Sequence, residues 1–160
     1  MKYFYDTEFL EDGKTIELIS IGIVAEDGRE YYAINDDMPY DRIAKDAWLM
    51  DNVVAHLGHG RKISKTQIRD EVAVFLYSED EDVELWADYA AYDHVVLAQL
   101  FGKMIDLPSW VPMFTNDLQQ RLRDLGHPRV PEQESGQHNA LDDARRVKTV
   151  LDYVEAGDGQ

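Results

Sequence analysis

The N-terminal part of the chain is patterned as extended strand. Residues 2–10, Lys-Tyr-Phe-Tyr-Asp-Thr-Glu-Phe-Leu, are rich in aromatic side chains with a Thr among them and predict a first strand. An Asp-Gly turn over 11–14 leads to a second strand over 15–24, apolar on both faces and so expected near the sheet centre. A second Asp-Gly turn over 26–28 leads to a third strand over 30–34, completing an antiparallel meander.

From there helical spacing takes over. Residues 39–54 predict a helix, broken by Gly58-His59-Gly60. Ser64 caps the next helix, on which Ile68, Val72 and Phe75 recur at helical intervals. A fourth strand is expected over 83–87, a helix over 92–101 closed by Gly102, and a short fifth strand over 111–115. A helix over 117–125, a loop over 127–137 and a last helix over 139–154 follow. The order βββα(α)βαβα predicts one α/β domain over 1–155, with 156–160 as a short tail. Its centre is a mixed sheet of about five strands flanked by helices.

The same periodicities place acids where apolar residues are expected. Asp6 and Glu8 project from one face of the first strand, roughly 7 Å apart. That stretch alone admits two readings. It is an edge strand with two solvated acids, or a buried pair that needs a divalent cation, because hard cations take carboxylate oxygen. On the last helix Ala140, Ala144, Val147, Leu151 and Val154 form the apolar stripe, and Asp143 falls on it. Asp142 faces Arg145 and Arg146 instead, a solvated pairing. Asp93 precedes Val96 and Leu97 by three and four residues and points toward the sheet, whereas Asp88 reads as a turn or cap residue.

Four inward carboxylates in a packed domain call for cations. Two divalent ions roughly 4 Å apart form the clamp used for in-line phosphoryl displacement. His138, just before the last helix, is the candidate general base, since histidine side chains titrate near neutral pH. His56-x-x-His59 has ligand-like spacing but no acid on its face, and His94 and His127 read as surface residues. Phe9 follows the acidic pair and is either core or a stacking platform, worth ~1–3 kcal/mol per base. Trp48, Trp86 and Trp110 are expected in the core or an interface.

Composition narrows the partners. With 160 residues, 44% of them hydrophobic and 11% aromatic, the chain has enough apolar side chain for a substantial core. The absence of cysteine excludes disulfides, thiolate metal sites and a Cys nucleophile. The N-terminus does not read as a signal peptide, and no apolar run approaches the ~20 residues of a membrane span. A cytoplasmic protein with no membrane partner is expected. The net charge of -16 opposes a broad basic footprint on a polyanion. A nucleic-acid substrate would have to be held through metal ions and a small local contact; otherwise the charge serves solubility.

Asp6-x-Glu8, then Tyr92-Asp93, then His138-Asn139-Ala140-Leu141-Asp142-Asp143 resemble the three exonuclease motifs of the DEDDh superfamily, in order and across almost the whole chain. The resemblance implies a ribonuclease H-like fold, two Mg2+ or Mn2+ ions per site, and 3′→5′ hydrolysis releasing nucleoside 5′-monophosphates. Carried over by position, Asp6, Glu8, Asp93 and Asp143 are metal ligands, Glu8 and His138 are catalytic, and Thr7, Phe9 and Tyr92 contact substrate. Tyr89 departs from the pattern, where Asn is common. The opening Met-Lys-Tyr-Phe-Tyr-Asp-Thr-Glu-Phe further resembles exoribonucleases of the RNase AS type. That implies single-stranded RNA 3′ ends as substrate, adenylate preference and a homodimer. The alternatives are a proofreading-type DNA exonuclease and a non-catalytic acidic protein that binds divalent cations.

Overall fold

The computed structural model describes residues 1–79, 82–133 and 135–157. Its sheet is built on β1 (Lys2–Glu11), β2 (Ile16–Ala25) and β3 (Glu30–Asn35), paired antiparallel as the two Asp-Gly turns require. Three short strands complete it. β4 (Arg61–Ile63) runs parallel to β3, β5 (Glu84–Ala87) parallel to β1, and β6 (Asn116–Asp117) parallel to β5, in the order β4-β3-β2-β1-β5-β6. β1 is an interior strand as far as Phe4, and beyond it Glu8 is buried and Asp6 half-buried, so the reading of the two as solvated acids falls. The helices are α1 (Tyr40–Ile43), α2 (Ala47–Asn52), α3 (Lys65–Phe75), α4 (Ala90–Phe101), α5 (Leu118–Asp124) and α6 (Ala140–Gly157).

Alternation along β1 sends its side chains into two layers. Tyr3 and Tyr5 pack with Ile68 and Val72 of α3 and Val96 and Leu97 of α4. Phe4 packs on the other face with Val147 and Leu151 of α6 and Leu118 of α5. A third cluster, Ile19, Ile34, Ile43 and Leu49, holds α1 and α2 against the end of the meander.

Four expectations change. The helix expected over 39–54 is α1, α2 and a 3-10 turn at Val54–His56, because the Asp46 side chain accepts from Leu49 N at 3.1 Å and starts a new helix there. β4 adds a strand, giving six instead of about five. Residues 111–115 are not a strand; β6 pairs only at the next two residues. α6 runs on through Gly157, into the expected tail, and residues 158–160 lie outside the described residues. Among the described residues no helix is long and apolar enough to cross a membrane.

Candidate active site

The ladder between β1 and β5 ends at Phe4 and Trp86. Beyond it one edge of β1 has no strand beside it, and Asp93 from the first turn of α4 fills the gap. Its Oδ1 accepts from Thr7 N at 2.9 Å and from Thr7 Oγ1 at 2.6 Å. Thr7, expected to contact substrate, is 4% exposed and its hydroxyl is committed to Asp93. Asp6 and Glu8 leave β1 on the face that carries α6, and a register shift between Glu8 and Phe9 ends the regular pairing beside them, as β-bulges often do next to sites.

Asp143 reaches the same place from α6. One carboxylate oxygen each from Asp6, Glu8 and Asp143 lies within 4.8 Å of the others. These three, with Asp93, His138, Phe9, Tyr92 and Asp88, line one cleft of about 330 Å3. All four acids singled out by periodicity therefore share it. Asp143 is held at both oxygens, by Gln133 Nε2 at 2.7 Å and His138 N at 2.9 Å. His138 takes a left-handed backbone, φ 63°, which turns its N–H toward Asp143. Asn139 Oδ1 accepts from Leu141 N and Asp142 N at the start of α6, and its Nδ2 donates to His56 O at 2.9 Å.

Periodicity pointed to neither Gln133 nor Asn139; only the Asx-type capping chemistry before a helix would have flagged Asn139. Trp48 was expected in the core or an interface, but it is 55% exposed on the cleft wall and sets its ring edge against His138, centroids 5.1 Å apart at 79°. Across the cleft Phe9 and Tyr92 stack, 5.9 Å between centroids and 11° between planes.

Burial drives the electrostatics. Asp6 is raised well above the usual carboxylate range by desolvation, then by Asp93, Glu8 and Asp143. Glu8 is pushed up to about 8 by burial, with Asp143 and Asp93 adding to it. Asp93 rises to about 7 through burial, against the lowering effect of the two Thr7 hydrogen bonds. Asp143 is raised for the same reason, opposed by Gln133 and the His138 N–H. Among the described residues no Lys or Arg lines the cleft. An all-oxygen, anionic donor set of this kind fits a hard divalent cation such as Mg2+ or Mn2+, which would restore the charged carboxylates.

The remaining candidates sort themselves. Arg145 pairs with Asp142 at 2.7 Å, whereas Arg146 pairs with Asp88 at 3.4 Å and not with Asp142. Asp88 also accepts from Gln119 Nε2 at 2.7 Å. His94 is half-buried and not a surface residue, its Nδ1 3.0 Å from Thr115 Oγ1 and its pKa lowered by burial. His56 Nδ1 bonds Asn52 O, and among the described residues neither His56 nor His59 belongs to a group able to hold a metal. Trp86 is core; Trp110 is exposed.

The family model of the Rv2179c-like 3′–5′ exoribonuclease domain matches residues 1–155. The chain belongs to this family. Two curated relatives of Mycobacterium tuberculosis, the 3′–5′ exoribonucleases Rv2179c (strain ATCC 25618 / H37Rv) and MT2234.1 (strain CDC 1551 / Oshkosh), are each 46% identical over 167 residues. The match spans 99% of this chain and 98% of each relative. Among solved structures, S. pombe Pop2p in its Mg2+- and Mn2+-bound form superposes with a TM-score of 0.56 at 15% identity, covering 97% of this chain and 82% of that one. That likeness is one of fold: the mixed sheet and its helices form the ribonuclease H-like architecture that the motif resemblance implied.

Proposed function

We propose that this member of the Rv2179c-like family is a divalent-metal-dependent 3′–5′ exoribonuclease that removes nucleoside 5′-monophosphates from single-stranded RNA ends. One observation carries the reading. Three carboxylate oxygens from Asp6, Glu8 and Asp143 converge within 4.8 Å in a cleft without a lysine or arginine, and His138 lines that cleft. Its relatives' exoribonuclease activity agrees with this chemistry.

Asp6, Glu8 and Asp143 would hold Mg2+ or Mn2+, with Asp93 as a further ligand and two ions per site. Bound there, the metal supplies the positive charge that the cleft lacks, neutralising the phosphate and acidifying a water. The chain's own groups do the rest. His138 accepts the proton of the attacking water as its oxygen bonds to phosphorus; the phosphorus–O3′ bond breaks, and the leaving O3′ takes a proton from solvent water to become the 3′-hydroxyl of the shortened RNA. Gln133 and the His138 N–H keep Asp143 from turning away, and Thr7 does the same for Asp93. The Phe9–Tyr92 pair gives the terminal base a flat wall.

A cleft of about 330 Å3 accepts one nucleotide-sized ligand at a time, which suits removal of single residues from an end. Affinity through metal and stacking also reconciles the substrate with a net charge of -16. Adenylate preference, a homodimer and a cytoplasmic location are narrower parts of the reading; the motif resemblance supports the first two, and the cysteine-free composition agrees with the third.

The test is direct. End-labelled homopolymeric oligoribonucleotides and matched DNA are incubated with Mg2+ or Mn2+. Stepwise release of 5′-monophosphates from RNA, fastest from oligoadenylate and abolished by chelator, is expected. Equal digestion of DNA would favour a proofreading-type enzyme. Cation binding without any nucleotide release would leave an acidic cation-binding protein.

A further inference from the structure

Three non-glycine residues among those described take a left-handed backbone: Tyr89, His127 and His138. Strained backbone of this kind collects at functional sites. His138 is in the cleft; the other two are not explained by the chemistry above. Tyr89 (φ 57°, ψ 49°) immediately precedes α4 and makes no side-chain cap to it. Its ring is 73% exposed at the cleft mouth. Its conformation is one that Gly or Asn adopts more readily than Tyr. What holds it is Asp117, which accepts from Ala90 N at 2.8 Å and Gln120 N at 2.9 Å.

On the far side of that turn lies an open groove of about 640 Å3, beginning at Ala90 and Ala91. His127, the third left-handed residue, lines it together with Phe114, Met113, Arg123 and His94. Phe114 is 63% exposed, a large ring left in water. The groove's chemistry is the reverse of the cleft's. Among the described residues the cleft gathers five carboxylates and no lysine or arginine, whereas the groove has one carboxylate, Asp117, already committed to backbone N–H groups. Beside it stand Arg123 and His127, while the half-buried His94 has its Nδ1 on Thr115. Arg123 is paired with Asp124 at 3.1 Å, but both are exposed, and an exposed pair of this kind holds its arginine only weakly. In a chain with 32 acidic and 16 basic residues this is a stretch of surface beside the cleft that a polyanion can cross. The two cavities are also tied together, since Gln119 of the groove donates to Asp88 of the cleft.

From this arrangement we infer that the RNA segment 5′ of the nucleotide being removed leaves the cleft across Tyr89 and lies in the groove, with its bases stacked on Tyr89 and Phe114 and its backbone near Arg123 and His127. The inference rests on the exoribonuclease reading and adds to it a subsite for the retained strand. Stacking of this type is tolerant of sequence, so the groove sets preference for substrate length and single-strandedness and leaves base identity to the cleft.

The experiment compares kcat/KM on an adenylate dinucleotide and an adenylate octanucleotide, with Mg2+, for wild type, Tyr89→Gly, Tyr89→Phe and Phe114→Ala, and melts each protein. Wild type is expected to prefer the octanucleotide. Tyr89→Gly and Phe114→Ala each shrink that preference about tenfold, mainly through KM, while Tyr89→Phe retains it. Tyr89→Gly melts no lower than wild type, because it relieves the left-handed strain. A wild type indifferent to length, or variants that keep its length preference, would overturn the inference. So would a preference lost on Lys14→Ala, in the groove beyond Tyr92, and not on Phe114→Ala. A wild type that releases no mononucleotide from any RNA would instead sink the exoribonuclease reading itself.

Discussion

Gly22 of β2 stands directly opposite Asp6 of β1 in the antiparallel ladder, and the backbone of Ala140 and Leu141 at the start of α6 occupies the space where a side chain on Gly22 would be. Helix and sheet meet there backbone to backbone. That close approach lowers the first turn of α6 onto β1 and brings Asp143 within reach of Asp6 and Glu8. The site is thus assembled by a residue that carries no functional group.

Gly22→Ala is therefore expected to damage the site more than the fold. A methyl group there collides with main chain, which cannot rotate out of the way, so α6 must lift. Overpacking of this kind costs about 1–3 kcal/mol, or ~2–4 °C in Tm for each kcal/mol in a protein of this size. Affinity for Mn2+, followed by calorimetry, should fall along with nuclease activity. A variant that melts lower but binds Mn2+ as tightly as wild type would show that the contact does not position Asp143.

His138→Ala is expected to leave Tm and Mn2+ affinity close to wild type, because the contact to Asp143 is made by the backbone N–H and not by the ring. Turnover should drop by ~10²–10⁴, the usual contribution of a positioned acid–base group. Single-turnover kinetics on a labelled oligoadenylate measure it. Undiminished turnover would remove His138 from proton transfer.

The raised carboxylates make a prediction about pH. Glu8 at about 8 and Asp93 at about 7, with Asp6 and Asp143 also raised, hold protons in the folded chain that the unfolded chain releases at ordinary carboxylate values of ~4. Between those limits the folded state binds more protons, so metal-free stability falls as pH rises through the values of Asp93 and Glu8. Melting without metal should give a lower Tm at pH 8 than at pH 6, within the window set by Asp93 and Glu8. Saturating Mg2+ should flatten that slope, because the cation takes the place of the protons. Glu8→Gln should make it shallower without metal, with Asp6, Asp93 and Asp143 keeping the rest. For the same reason metal binding, and activity with it, weakens on the acid side. A metal-free Tm that rises over this interval would contradict the buried-acid account.

Much of the site was legible because its signals are local. Asp6 and Glu8 share a face by the strand's period of two, and Asp143 interrupts an apolar stripe that the helical period defines without any partner. The turns around Gly13 and Gly28 made the meander readable in the same way. Residues 111–115 misled for a matching reason: their apolar side chains look like strand, but Met113 and Phe114 face the open groove and the pairing begins only at Asn116. A two-residue strand has too little pattern of its own to be seen.

What the sequence determined by itself was the three-stranded meander, the long helices and the face that Asp6, Glu8, Asp93 and Asp143 take, since these follow from periodicity within a few residues. The tertiary structure alone decided how those faces meet. The Thr7–Asp93 bonds join positions 86 residues apart, the unfilled space at Gly22 admits a helix more than a hundred residues downstream, and the β1–β5 ladder stops where Asp93 must enter. Each of these depends on which distant segment arrives as neighbour, a matter settled by packing and not by the local spacing of side chains.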